Sequence, residues 1–179
     1  MADKERNYFI LSREDIVRLI KKRGLVSGFI NLDTQLTPAG FDLTVARIFA
    51  FRSCGALDFS NKERMLPEVI EVKPKKEKQK DKFGWWKLKK GCYKIITNET
   101  VRLPNDLMAV AFSRSSLLRM GVFVQTAVWD AGFIGRSEFM LVVENTAGLR
   151  LKQNARVAQL LFLRTAKTKK GYRGIFQNL

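Results

Sequence analysis

Histidine is absent from the 179 residues. Without it there is no Ser-His-Asp or Cys-His nucleophile, no histidine general base and no histidine-containing zinc site. Cysteine is nearly absent too, with only Cys54 and Cys92. Two thiols cannot supply the three-thiolate zinc site of a nucleobase deaminase. In a cytosolic chain such a pair is expected as free or buried thiols, not as a disulfide. No apolar run approaches the roughly 18 residues of a membrane span. The first ten residues, MADKERNYFI, mix charges and carry no long apolar segment. The expectation is no signal peptide, no membrane and a cytoplasmic protein. Any catalysis must run on carboxylates, hydroxyls, cationic side chains and backbone amides, with or without a divalent ion.

Positive charge is abundant. Lys and Arg number 33 against 17 acids, a net charge of +16, and the pI is near 10.2. Apolar residues make up 46%, enough for a substantial core. Residues 73–90 (KPKKEKQKDKFGWWKLKK) hold nine lysines and two acids, so +7 is concentrated in a tenth of the chain. That segment reads as an insertion. Trp85 and Trp86 within it are either the anchor of a solvated β-hairpin or a platform for stacking bases in weak nucleic-acid binding. The +9 spread over the rest suits an anionic substrate.

Residues 12–22 predict a helix, with Ser12 and Asp15 as a capping box, an Ile16/Leu19/Ile20 stripe and Gly24 as terminator. Strands are predicted at 29–32, 41–51, 69–72, 92–97, 107–112, 122–129, 139–143, 149–151 and 157–164. The strands at 69–72 and 92–97 flank the lysine-rich segment and could pair as a hairpin. Ser113–Gly121 reads as one helical turn. About ten short strands and one clear helix predict a mainly β sandwich or barrel in a single domain over 1–179. The insertion at about 73–90 and a short flexible tail at about 166–179 are its appendages.

Three places carry candidate chemistry. Ser113-Arg114-Ser115-Ser116 puts hydroxyls, a guanidinium and free amides at the start of a helical turn, which is either an anion site or an ordinary cap with a surface arginine. Asp130 leaves an apolar strand at a glycine turn, as a positioned base or as a turn-capping residue. Asp42 begins a strand after a Pro-Ala-Gly turn and reads locally as turn chemistry.

The order PAGFDL (38–43), SRSSLLRMG (113–121), DAGFIG (130–135), RVAQLLF (156–162) and GYRGIFQ (171–177) resembles the dUTPase and dCTP deaminase superfamily. It is most similar to the archaeal dUTPase-like branch. The resemblance covers roughly residues 10–177 apart from the lysine-rich segment. It implies a distorted β-barrel or jelly-roll and a homotrimer with active sites shared between subunits. It also implies a deoxynucleoside triphosphate substrate bound with Mg2+, the metal being held by the triphosphate and by no protein ligand directly. Carried over, Arg114, Ser115 and Ser116 hold phosphates. Asp130 orients the attacking water and contacts the 3′-hydroxyl, and Phe133 packs on the deoxyribose. The backbone of 126–140 reads the pyrimidine edge. Gln159 contacts triphosphate or base, and Tyr172 and Gln177 close over the triphosphate.

The resemblance implies dUTP hydrolysis to dUMP and pyrophosphate, with dCTP deamination or a bifunctional reaction as the alternative. A non-catalytic nucleotide- or nucleic-acid-binding relative is the third reading. Family deaminases shuttle a proton on a glutamate ten residues beyond the turn aspartate. Met140 stands there, and a thioether cannot shuttle protons. Glu138 lies two residues earlier and on the same strand face, so it is the possible shuttle in the alternative. Arg119, also carried over as a substrate-binding residue, matches an arginine that deaminases use and that dUTPase-like relatives carry too. The tail departs from the family: Phe176 stands where tyrosine is usual, and only two residues follow Gln177.

Overall fold

The computed structural model describes residues 9–178. The charged N-terminal stretch read for a signal peptide therefore lies almost wholly outside the described residues, as does Leu179. Helix α1 (Arg13–Arg23) starts at the predicted capping box. The Ser12 side chain accepts from the Asp15 amide, and Asp15 answers the Ser12 amide. Gly24 ends it in the left-handed region at φ 63°. Ile16 is buried, and Leu19 and Ile20 pack against the core.

The segment 29–32 is not a strand. Asn31 instead caps a single helical turn, α2 (Leu32–Gln35), its side chain accepting from the Thr34 amide at 2.8 Å. The Gln35 side-chain oxygen Oε1 accepts from the Ile30 and Asn31 amides, leaving neither for a ladder. A short polar side chain able to hold local amides outcompeted the apolar pattern.

Eleven strands form among the described residues. They are β1 (Val26–Ser27), β2 (Leu36–Thr37), β3 (Gly40–Phe51), β4 (Val69–Val72), β5 (Trp85–Leu88), β6 (Gly91–Arg102), β7 (Leu107–Ser113), β8 (Val122–Gln125), β9 (Ile134–Val143), β10 (Leu149–Lys152) and β11 (Arg156–Arg164). The main sheet runs β7-β11-β3-β6-β9-β8, with β1 on β6 and with β2 and β4 on β3. Its two ends nearly meet. The Ser113 hydroxyl of β7 accepts the Val124 amide of β8 at 2.8 Å, and Ala109 bridges Trp129. The result is a distorted, almost closed barrel. Register shifts interrupt β3/β11, β3/β6 and β6/β9, and such bulges bend strands enough to curl a sheet. Leu43, Val45, Ile48, Ile95, Leu141, Val157, Leu160 and Phe162 are fully buried inside.

The lysine-rich segment departs from the predicted hairpin. β4 pairs with β3, while β5 pairs with β10 in a separate two-stranded sheet. Trp86 is buried, its indole N–H donating to the Val72 carbonyl at 2.7 Å. It is an anchor and cannot stack on a base. Trp85 lies under two cations, Arg150 at 4.9 Å and Lys152 at 5.2 Å from the ring. Cys54 and Cys92 are both exposed and free, not buried. No helix among the described residues is long and apolar enough to cross a membrane.

Candidate active site

β9 alternates with period two. Gly135, Ser137, Phe139 and Leu141 point inward, while Arg136, Glu138 and Met140 point the other way. The turn that precedes it brings Asp130 to the surface, beside buried Trp129 and Phe133. The Trp129 indole donates to the Ser137 hydroxyl at 2.9 Å, which fixes the ring beneath the turn. These residues wall a cavity of about 520 Å³ together with Arg136, Phe139, Tyr172 and Phe176. Its lining includes Asp130, Phe133 and Glu138. Four of the candidate side chains, Asp130 and Phe133 from the turn, Glu138 from β9 and Tyr172 from the C-terminal segment, thus share one hollow.

Glu138 is not free within it. Lys94 of β6 reaches it at 3.1 Å, and the same ammonium sits 4.9 Å from the Phe49 ring centre. Met140 faces the same side of β9, two residues along. The two-residue slip considered from the sequence therefore puts a carboxylate in the Asp130 cavity, already paired with a cation.

A second cluster forms elsewhere. Arg114 caps α3 (Ser115–Leu118), a single turn with no side-chain cap bond. One turn has almost no macrodipole, so the anion reading rests on the Arg114 side chain and the exposed Ser115 and Ser116 instead. Ser113 is already engaged with β8. The Arg114 guanidinium contacts the Asp42 carboxylate at 3.0 Å, and Arg156 contacts the same oxygen at 3.1 Å. Asp42 is therefore not turn chemistry. It is buried on β3, where burial pushes its pKa up while the two guanidinium groups pull it down. Two cations on one carboxylate leave a net positive charge at the surface. Gln159 on β11 donates to the Thr37 hydroxyl at 2.8 Å. Arg119 is exposed just after α3.

The Asp130 cavity has none of Arg114, Ser115, Ser116, Arg119 or Gln159 in its walls. One chain thus carries two separate clusters, an apolar hollow holding Asp130 and Glu138 and a basic surface around Arg114 and Arg156.

Three residues were not singled out from the sequence. Arg156 is one; an aspartate inside the apolar run 41–51 is the clue that a cation must lie opposite it. Glu99 is fully buried in the β6 bulge. It accepts from Gln35 at 2.7 Å, from the Thr44 amide at 2.9 Å and from the Thr44 hydroxyl. Burial raises its pKa against those hydrogen bonds. Lys94 is the third, and nothing in its local sequence marks it.

A family model described as dCTP deaminase-like matches residues 10–165. A protein of Archaeoglobus fulgidus, named "Probable deoxyuridine 5'-triphosphate nucleotidohydrolase", is 45% identical over 168 residues, 94% of this chain and 95% of that one. The deoxyuridine 5'-triphosphate nucleotidohydrolase of Methanocaldococcus jannaschii is 36% identical over 150 residues, 83% of this chain and 92% of its own. The 2'-deoxycytidine 5'-triphosphate deaminase of Agrobacterium tumefaciens shares the fold, with a TM-score of 0.64 at 21% identity over 89% of this chain. This chain spans about half (49%) of that one's length. With the model matched along most of the barrel and relatives alike from end to end, the chain belongs to the dCTP deaminase-like family.

Proposed function

We propose that this chain is a cytoplasmic dUTP diphosphatase that cleaves dUTP to dUMP and pyrophosphate. The observation that carries the reading is the exposed Asp130 carboxylate at a hollow walled by Phe133, Trp129 and the β9 hairpin. The names of the archaeal relatives support it. The hollow is wide enough for a nucleoside, and Phe133 and Tyr172 line it as apolar walls for the deoxyribose.

Asp130 positions a water in line with the α-phosphorus and takes up its proton as the new P–O bond forms. The bond from phosphorus to the bridging oxygen breaks, and its electron pair leaves with pyrophosphate. Arg114, with Ser115 and Ser116, neutralises charge on the triphosphate, and the surplus cation of the Arg114–Asp42–Arg156 cluster suits that task. A guanidinium cannot ligate magnesium, and among the described residues no group of three or more acidic or thiol side chains is placed to hold a metal ion, so this donor set fits Mg2+ carried on the triphosphate. When bound, the ion supplies further neutralisation of the leaving pyrophosphate. A homotrimer would bring the Asp130 half of one subunit against the Arg114 half of its neighbour, which accounts for the separation of the two clusters on a single chain.

Deamination of dCTP, alone or with hydrolysis, is the second reading. Glu138 in the cavity wall is what favours it. Against it stands Lys94, which occupies the carboxylate. Weak nucleic-acid binding at the basic face of β5 and β10 would rest on Lys87, Arg150 and Lys152, since Trp86 is buried and half-buried Trp85 already lies against two cations. Purified protein with magnesium and dUTP, dCTP or dTTP separates the readings, with pyrophosphate and ammonia followed separately. Pyrophosphate from dUTP and no ammonia from dCTP is expected. Ammonia from dCTP without pyrophosphate from dUTP would overturn the proposal.

A further inference from the structure

The C-terminal segment does not hang free of the Asp130 turn. The Tyr172 amide donates to the Ala131 carbonyl at 2.8 Å, and the Asn178 amide donates to the Ile134 carbonyl at 2.7 Å. Between them the Gln177 side chain makes two bonds. Its oxygen accepts the Ile134 amide at 3.0 Å, and its NH2 donates to the Gly132 carbonyl at 3.0 Å. The two remaining turn carbonyls are taken by neighbours, Asp130 by the Phe133 amide and Phe133 by the Leu103 amide. Of the five carbonyls from Asp130 to Ile134, three are thus satisfied by residues 172–178.

Packing reinforces the bonds. The Tyr172 ring meets Phe133 edge to face at 5.6 Å between centres. Gly132 lies at φ 86°, and a β-carbon there would fall 2.7 Å from the Gly171 α-carbon. A β-carbon on Gly171 would fall 2.7 Å from the Asn105 side-chain oxygen. Two glycines, thirty-nine residues apart in sequence, permit this contact.

We propose that Gln177 is a positioning residue that clamps the turn carrying Asp130 and Phe133. It serves the nucleoside half of the site, not the triphosphate. The proposal rests on the reading of that site as one for dUTP. An aspartate on an exposed glycine turn can swing widely when the turn's carbonyls face water. Displacing a reacting group by about 1 Å costs on the order of 10²-fold in rate. With both amide positions of Gln177 engaged on the turn, the tail fixes Asp130 and Phe133 relative to β9.

The test compares dUMP with a non-hydrolysable imido analogue of dUTP, by calorimetry on the full chain. A ligand of the β- and γ-phosphates is irrelevant to dUMP, whereas a clamp on the turn matters equally to both. Gln177→Met keeps the side-chain length and loses both hydrogen bonds. It should weaken the two ligands by the same factor, about tenfold for two such bonds. Hydrogen exchange at the Ile134 amide should quicken, with the Leu141 amide of β9 unchanged. Gln177→Glu keeps the acceptor for Ile134 and should restore most of that amide's protection. A loss confined to the imido analogue, or unaltered exchange at Ile134, would overturn the clamp. A wild-type chain that binds neither ligand would instead sink the dUTP reading, while Ile134 exchange still decides whether the clamp exists.

Discussion

At Asp130 a single charge separates positioning from shape. Asp130→Asn keeps the turn and the hydrogen-bonding outline but cannot take the water's proton. The chemical step should fall by at least about 10²-fold, the range of positioned acid–base groups. Binding of the imido analogue should survive within a fewfold, as calorimetry would register. Glu138→Gln is the counterpart. Lys94 already holds that carboxylate, so dUTP turnover should change by less than about threefold, roughly what one exposed ion pair is worth. A variant that kept dUTP cleavage but lost a wild-type dCTP deamination would reassign Glu138 as the proton shuttle. Asp130 stood out in the sequence by its turn position, whereas Glu138 stood out only through the family's glutamate position, with strand alternation placing it on the same face. The cations Lys94 and Arg156 did not, because they approach from strands far away in the chain and carry no local pattern.

Elements with self-contained chemistry were the readable ones. The Ser12–Asp15 box and Gly24 bound α1 without help from the rest of the fold. The β9 face followed from alternation once its start was known. Strand pairing was harder, since β4 and β6 both lie on β3, and β5 crosses to β10. Such choices depend on which edges are open, and no local window records that. The lysine-rich excursion gives a prediction at this scale. The Lys75–Trp85 bridge and the buried Trp86 fasten its base, so residues 76–83 are the dispensable part. Replacing them with a short glycine-containing turn should leave the melting temperature within a few degrees, as for a surface change of roughly 0.5 kcal/mol. It should leave KM for dUTP unchanged within twofold. A large rise in KM would mean that these lysines reach the triphosphate.

Over the whole molecule, charge is balanced unevenly between surface and core. Glu99 is buried in the β6 bulge with hydrogen bonds but, among the described residues, no cation in contact, and burial raises its pKa from the ordinary 4.5. Above 4.5 the unfolded chain therefore releases its proton before the folded one does. Stability should fall as pH rises through the folded value, and the contribution is largest at the acid end of that window. Asp42 acts in the same direction from its ordinary 3.8. Melting curves of wild type and Glu99→Met between pH 4.5 and 7.5 should converge as pH rises. Parallel curves would show that Glu99 does not titrate there.

The separation of the Asp130 and Arg114 clusters is also a property of the whole molecule, and the proposed sharing of one site between subunits is the central claim. Asp130→Asn and Arg114→Ala should each be nearly inactive alone. Co-expressed in equal amounts, they should form mixed trimers in which about a quarter of the shared sites combine an intact Asp130 with an intact Arg114, the random expectation for cyclic neighbours. Pyrophosphate release from dUTP should then recover to about that fraction of the wild-type rate. Mixed trimers no more active than either variant would contradict a site shared between subunits.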